Sequence, residues 1–162
     1  GLGLSNAESY ASVADSVAYF TGIGADTWLT LSTTDQEKAL RRATIYLVGK
    51  YRLRWAGSRM TTSQALDWPR SLVPVADTPY RSYYPNNAVP KEVVDACCSM
   101  AIRAAAGELL SDQGQRASSV TVGPISQTFE AGSTVATQYP EIDALLRPLL
   151  KSGNGQIRMV RA

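Results

Sequence analysis

Three neighbouring residues, Trp68, Pro69 and Arg70, carry the side chains most able to act as a motif. In a nucleic-acid reader, Trp68 and Trp55 would stack on bases while nearby arginines bind phosphates. Those arginines are Arg52, Arg54, Arg59 and Arg70. In a structural pin, Trp68 buries its indole, Pro69 holds the preceding residue extended and Arg70 reaches a carbonyl or carboxylate. We favour the pin, because a large aromatic beside a helix-stopping proline is more often core than ligand.

The residues that usually perform catalysis are sparse. The 162 residues include no histidine, which removes the commonest general base and metal ligand. The two cysteines, Cys97 and Cys98, are adjacent, so they build no disulfide framework and favour a reducing compartment; we expect Cys97 in the core. The sequence has no phosphate-binding glycine loop and no carboxylate cluster at metal-ligand spacing. We therefore expect a protein that is not an enzyme and needs no metal or cofactor.

Charge is unevenly distributed along the chain, although the net charge is only +2. Residues 1–34 contain acidic but no basic side chains, whereas residues 35–70 hold eight basic against three acidic ones. Complementary patches of this kind suit nucleic acid or head-to-tail self-assembly. The candidates for a self-assembly interface are Glu8, Asp15, Asp26, Lys38, Arg41 and Arg42. The basic stripe on residues 38–42 is equally compatible with an ordinary solvated helix face.

Length and composition favour one globular domain. Hydrophobic residues make up 44% and charged residues 19% of the chain. No apolar run is long enough for a membrane span, and the first residues do not resemble a signal peptide. We expect a domain at 1–152 and a separate extended tail at 153–162, where apolar and basic residues alternate.

The elements that must position these residues are mainly helical. Capping boxes at 12–15 and 34–37 predict helices over about 12–21 and 34–50, with a short helical turn at 26–31 between them. Pro90 and Pro140 predict the starts of two more helices, the first ending near residue 110. A change of period around 120–129 predicts a β-hairpin. The predicted fold is a bundle of about four helices with one small hairpin, an irregular stretch at 51–87 and an extended C-terminal tail.

Five segments occur in an order that resembles a known family. They read SYASVADSVAYF, EKALRRATIYL, QALDWPR, VPKEVVDAC and YPEIDALLRPLL, starting at residues 9, 37, 64, 89 and 139. They resemble a family of tailed-phage and prophage proteins whose members are often labelled DnaT-like single-strand DNA-binding proteins. Members are also similar to head–tail connector, or adaptor, proteins, which form a ring under the portal. The segment with Trp68, Pro69 and Arg70 is the most specific part of the resemblance.

The resemblance implies a structural virion protein at the head–tail junction, made in the host cytoplasm. On this interpretation about twelve copies form a ring on the portal protein, and double-stranded DNA crosses the lumen without sequence-specific contacts. The expected portal-binding tail comprises Gln156, Ile157, Arg158, Met159, Val160 and Arg161. Contacts to the next tail protein would come from Val120, Val122, Ile125 and Phe129, or from Tyr80, Tyr83 and Tyr84.

The alternative is a single-strand DNA-binding replication accessory protein. Its support is the window 38–70, in which basic residues alternate with aromatic ones. The low net charge mildly disfavours this alternative, so the adaptor is the preferred interpretation at this point.

Overall fold

The computed structural model describes residues 3–109 and 139–151, together with the backbone of two strands at 119–122 and 125–128. The helices are α1 (Val13–Ile23), α2 (Asp26–Leu29), α3 (Thr33–Tyr51), α4 (Lys91–Ala106) and α5 (Pro140–Leu146), the last continued by a 3₁₀ turn at Arg147–Leu149. Two antiparallel pairs complete the fold: β1 (Ser58–Arg59) with β2 (Arg70–Ser71), and β3 (Ser119–Val122) with β4 (Ile125–Thr128).

The predicted fold class, mainly helical with one small hairpin, is confirmed. The described residues contain five helices, since the predicted helical turn at 26–31 forms the short helix α2. None of the described helices has the length and apolar character that crossing a membrane requires. The predicted tail at 153–162 lies outside the described residues, so the division of the chain at residue 152 stays a prediction.

Helix α1 begins where the sequence predicted and ends two residues later. The Ser12 hydroxyl accepts a hydrogen bond from the Asp15 N–H at 3.1 Å, and the Asp15 carboxylate accepts one from the Ser12 N–H at 2.9 Å. This reciprocal pair satisfies two backbone donors that a helix start leaves free. The helix ends at Gly24 rather than Gly22, because Gly24 adopts the left-handed conformation, with a φ of 70°.

The predicted boundaries of α3 and α4 are wrong by a few residues. The cap of α3 is Ser32, whose hydroxyl accepts from the Asp35 N–H at 3.2 Å, so the helix does not start at a capping box on Thr34. Both positions have a carboxylate three residues later, and the sequence pattern cannot distinguish them. Helix α4 starts at Lys91 with Pro90 as its cap, and it ends at Ala106, four residues earlier than predicted.

The central packing is α3 against α4, with α1 and α5 on the flanks. The facing positions are buried and many are small, including Ala43 and Leu47 on α3 and Cys97, Ala101 and Ala104 on α4. Small side chains at a contact allow two helix axes to approach closely. Cys97 therefore lies in the core, as expected, and burial raises the pKa of its thiol.

The segment between α3 and α4 is mostly irregular, as predicted, but short extended pieces order it. Trp55 bridges to Leu150, β1 pairs with β2, and Pro74 bridges to Tyr83. These pairings join the end of α3 to the end of α5 and to the loop that precedes α4. Most of the exposed cations and tyrosines described below are positioned by this segment.

Candidate nucleic-acid interface

Trp68, Pro69 and Arg70 lie inside the molecule. The Trp68 indole is buried and packs edge-to-face on the buried Trp55, with ring centroids 5.6 Å apart. The Trp68–Pro69 peptide bond is cis. Neither indole is accessible to a nucleotide base, so neither tryptophan can stack on one as the nucleic-acid interpretation of this motif requires.

Arg70 is also buried, and its guanidinium is occupied by backbone carbonyls. It donates to the carbonyls of Ala56 at 2.7 Å, Gly57 at 2.8 Å and Asp67 at 3.3 Å. Burial lowers the pKa of Arg70. This geometry is what a structural pin requires, because Arg70 ties β2 to the chain just before β1. The contribution of the pin to stability stays a prediction.

Arg59, the fourth arginine assigned to phosphate binding, is only partly exposed. Its guanidinium donates to the Gln64 carbonyl. The Gln64 side chain in turn donates to the carbonyls of Leu66 and Pro69, at 2.8 and 3.2 Å. Arg59 therefore helps to order the loop that leads to Trp68, and Arg52 and Arg54 are the two predicted phosphate ligands that stay exposed.

The cations near the start of α3 are paired within the chain. Lys38 contacts Asp35 at 3.3 Å, and Arg41 contacts both Glu8 and Glu37. The Glu8 contact raises the pKa of Arg41. Of the residues predicted for a self-assembly interface, Glu8 and Arg41 thus meet each other in one molecule. Contacts of these residues with a second copy stay a prediction.

Three other residues predicted for that interface occupy separate places. Arg42 donates to the carbonyls of Ala104 and Gly107, at 2.8 and 3.2 Å, and so closes the C-terminal end of α4. Asp15 caps α1, and Asp26 lies exposed at the start of α2. Arg42 and Asp15 thus have structural roles within the chain, and a shared interface of the six residues stays a prediction.

We define the cationic patch as the five basic residues at the adjoining ends of α3 and α5. These are Lys50, Arg52, Arg54, Arg147 and Lys151. The Lys151 N–H donates to the Arg54 carbonyl at 2.8 Å, and its ammonium donates to the Leu53 carbonyl at 3.2 Å. The end of α3 and the end of α5 therefore lie side by side, although about a hundred residues separate them in sequence. Arg52 and Arg54 keep about half of their side-chain surface exposed, at 50% and 53%.

Two carboxylates lie among these cations. Asp143 accepts from the Lys50 ammonium at 3.0 Å and from the Tyr51 hydroxyl at 2.7 Å, with Arg54 at 3.9 Å. Burial alone would raise the pKa of Asp143, but the hydrogen bonds from Tyr51 and Lys50 outweigh it and lower the pKa. The buried Asp67 lies 3.4 Å from Arg52. Five cations against two anions leave the cationic patch with a net charge of +3.

A second surface feature is the tyrosine loop, residues 72–84. Tyr84 points inward, and its hydroxyl donates to Glu92 at 3.0 Å. Burial and that carboxylate raise the pKa of Tyr84 to about 12. Tyr80 and Tyr83 point outward, with 83% and 50% of their surface exposed. They line an open cleft of about 510 Å³. The three predicted contact tyrosines thus divide into two that a ligand can reach and one that anchors the loop.

The remaining predicted contacts lie mostly outside the part of the chain that the structure describes. Val120 and Val122 are on β3 and Ile125 is on β4, and only the backbone of these strands is described. Phe129 and the six predicted portal-binding residues of the tail fall outside the described residues.

The chain belongs to a known protein family. A family model described as "Putative DnaT-like ssDNA binding protein" matches residues 1–162, the whole of the chain. No curated protein and no solved structure matches the chain. The family thus places the chain with proteins described as binding single-stranded DNA.

The head–tail adaptor interpretation is therefore wrong. The family that covers the whole chain is the DnaT-like one, and no finding indicates a head–tail connector. The uneven charge along the chain does not favour an adaptor either, because the acidic start and the basic middle already meet internally through Glu8 and Arg41. The expectations of a portal partner, a ring and a place in the virion depended on this interpretation and are dropped with it.

The basic window 38–70 contains three of the five basic residues of the patch but does not indicate their grouping. Arg147, Lys151 and Asp143 were not among the predicted site residues. The spacing of Asp143 and Arg147, one helical turn apart, is a signal for a local charge cluster. No sequence pattern indicated that this turn lies against residues 52–54.

Proposed function

We propose that this protein binds single-stranded DNA and that the cationic patch is its phosphate-binding surface. The observation that carries the proposal is the match of the DnaT-like single-strand DNA-binding family over the whole chain. What supports this location is that Arg52 and Arg54 keep about half of their side-chain surface exposed, at the adjoining ends of α3 and α5.

The chemistry of the cationic patch suits a phosphodiester backbone. Guanidinium and ammonium groups form charge-assisted hydrogen bonds to phosphate oxygens, and guanidinium can do so with two parallel bonds. Arg52 and Arg54 keep half of their side chains exposed, which leaves donors available to a ligand. Contacts of this kind fix the backbone and read no base sequence. We therefore expect little preference for sequence from this surface alone.

Aromatic side chains hold two of these cations in place. Arg54 lies over the Tyr51 ring at 5.3 Å, and Lys50 lies over the same ring at 5.2 Å. A cation held over a ring loses less conformational freedom when a phosphate binds. Tyr51 is itself buried and hydrogen-bonded to Asp143. This part of the patch is thus organised before any ligand arrives.

We propose a binding role without catalysis. Among the described residues, no group of three or more His, Cys, Asp or Glu side chains could hold a metal ion. The cationic patch holds a phosphate backbone by charge and hydrogen bonding, and such binding requires neither a nucleophile nor a cofactor.

A salt titration tests the proposal. Fluorescence anisotropy would follow binding of a labelled oligothymidylate of about 16 nucleotides. The patch variant carries Arg52→Gln, Arg54→Gln and Lys151→Gln. The matched control carries Lys38→Gln, Arg41→Gln and Lys91→Gln, which removes the same charge from exposed sites elsewhere.

The two variants should differ in the slope of log affinity against log salt. Each phosphate contact with a single strand contributes about −0.7 to that slope, so the patch variant should lose about 2 from it. The control should keep the slope of the unmodified protein. Equal losses in both variants would mean that overall charge and not this surface binds DNA. Absence of measurable binding by the unmodified protein near physiological salt would refute the proposed function.

A further inference from the structure

We propose that the cleft of the tyrosine loop holds unpaired bases of the bound strand, stacked on Tyr80 and Tyr83. This inference rests on the proposed function and extends it, because it assigns the recognition of single-stranded as opposed to double-stranded DNA to a separate site. The buried Trp55 and Trp68 cannot stack on bases, so any aromatic platform must come from elsewhere in the chain.

The tyrosine loop has a defined shape that can hold a flat ligand. Backbone hydrogen bonds join Val75 to Ser82 and Tyr84 to Val73, both at 2.9 Å. Inside the loop, the Thr78 hydroxyl donates to the Tyr80 carbonyl at 2.9 Å and lies 2.6 Å from the Ser82 hydroxyl. These bonds hold together the two arms of the loop, residues 73–75 and 82–84, with Tyr83 on the second arm and Tyr80 in the turn between them. The cleft that the arms and the turn line, about 510 Å³, lies within the size range of small-ligand sites.

The exposure of the tyrosines fits a stacking role. Tyr84, in the same loop, is partly buried against the core and its hydroxyl donates to Glu92, so the loop has an anchor other than Tyr80 and Tyr83. Bases stack on aromatic rings with little dependence on sequence, because every base presents a flat π surface. Leu72, with 68% of its surface exposed, adds apolar lining to the same cleft.

Arg81 supplies charge at the same place. Arg81 lies between Tyr80 and Tyr83 in sequence and lines the same cleft. Its side chain is exposed and forms no ion pair with any residue in the described part of the chain. A base in the cleft brings its own phosphate with it, and Arg81 can bind that phosphate. The combination of two exposed rings and an available guanidinium favours a nucleotide over an uncharged ligand.

The cleft and the cationic patch are linked by one series of backbone pairings. Lys151 pairs with Arg54, β1 pairs with β2 a few residues later, and Val73 pairs with Tyr84 at the base of the tyrosine loop. Adjacent paired segments lie about 4.8 Å apart. Gly57, with a φ of 63°, lies so close to the Ser71 carbonyl oxygen that a Cβ there would collide with it. The proposal therefore requires one DNA strand to run from the patch, past these paired segments, to the cleft, with phosphates on the patch and bases in the cleft.

Double-stranded DNA can bind to the cationic patch but cannot place a base in the cleft. Its bases are stacked and paired inside the duplex, and taking one out costs energy. A duplex would thus bind through phosphates alone, whereas a single strand would use both surfaces.

The experiment compares three labelled probes of equal length: an oligothymidylate of about 16 nucleotides, an abasic oligonucleotide with the same backbone, and a duplex. The test variant carries Tyr80→Ala and Tyr83→Ala, and the matched control carries Tyr80→Phe and Tyr83→Phe. Both positions are exposed, and equal melting temperatures would show that each variant folds. The test variant should bind the oligothymidylate at least about fivefold more weakly and bind the abasic and duplex probes as before. The phenylalanine control should bind all three probes like the unmodified protein.

Two results would overturn the inference. Unchanged oligothymidylate affinity in the alanine variant would show that the cleft takes no base, and would leave it available to a protein segment instead. Equal weakening on the oligothymidylate and abasic probes would show that the loop contacts the backbone only. Failure of the proposed function looks different, because then the unmodified protein binds none of the three probes.

Discussion

The two ends of helix α3 are both rich in basic residues, yet they differ in how many acidic partners lie beside them. Near the start of the helix, Lys38 and Arg41 contact acidic neighbours and Arg42 closes the end of α4. Near its end, Lys50 and Arg54 share Asp143, and Arg52 contacts Asp67. Arg147 and Lys151 form no ion pair with the described residues. The difference shows that the position of acidic partners in three dimensions, and not the number of cations in a window, decides which surface can bind a polyanion.

The two ends also differ in what supports them. At the start of α3, Arg41 joins the helix to Glu8 and Arg42 joins it to the end of α4, while Lys38 pairs only within α3. At the other end, the chain leaves the helix over the buried Trp55 and Trp68. The cationic patch thus lies next to two buried indoles that contact each other, while the side chains of Arg52 and Arg54 stay about half exposed.

The largest expected effect comes from removing one of these buried indoles. Trp68→Ala should lower the free energy of unfolding by about 3–5 kcal/mol, because it deletes a buried indole and leaves a cavity beside Trp55. Urea unfolding measures the change. Tyr80→Ala, at an exposed position, is the control and should change stability by less than about 0.5 kcal/mol. An unchanged unfolding midpoint for Trp68→Ala would contradict the structural pin.

A smaller effect should follow from Arg42, which contrasts with the cations of the patch. Arg42→Gln removes two charge-assisted hydrogen bonds from the last carbonyls of α4 and should cost about 1–2 kcal/mol of unfolding free energy. Lys38→Gln, at the same end of α3, should leave stability almost unchanged, since it removes only an exposed ion pair. If Arg42→Gln is as stable as the unmodified protein, Arg42 does not stabilise the end of α4, and its contrast with the cations of the patch is wrong.

The smallest expected effect is an increase in affinity. Asp143 holds Lys50 and lies near Arg54, so it competes with phosphate for both. Asp143→Asn should strengthen oligothymidylate binding about fivefold at low salt, the equivalent of about 1 kcal/mol for one charge near the site. Anisotropy measures the change, and Glu37→Gln at the other end of α3 is the matched control. Weaker binding by Asp143→Asn would mean that Asp143 organises the cationic patch more than it competes with the ligand.

Local signals were sufficient to predict most of the elements. The reciprocal bonds of Ser12 and Asp15 depend on residues three apart, and so the start of α1 was predicted correctly. The start of α3 was not, because Ser32 and Thr34 offer the same local chemistry and packing chooses between them. The end of α4 was also missed, since Arg42 stabilises it from a helix more than sixty residues away.

The candidate site was only half predictable for the same reason. The window 38–70 contained Arg52 and Arg54, but the sequence could not show that Trp55, Trp68 and Arg70 are buried while their neighbours are exposed. It also could not show which cations are neutralised. The choice between an adaptor and a DNA-binding protein came out wrong because the resemblance allowed both and the charge pattern was assigned to contacts between molecules.

The sequence by itself determined that the chain folds into helices with one hairpin and has no histidine for catalysis, because periodicity, capping and composition depend on residues near each other or on none at all. Only the tertiary structure decided which cations are available. Lys151 reaches Arg54 and Glu8 reaches Arg41 across long stretches of chain, and electrostatic interactions depend on distance in space and on exposure to water. The cationic patch is therefore a product of the fold, whereas the tyrosine loop is one contiguous segment in which the fold decides only which tyrosines are exposed.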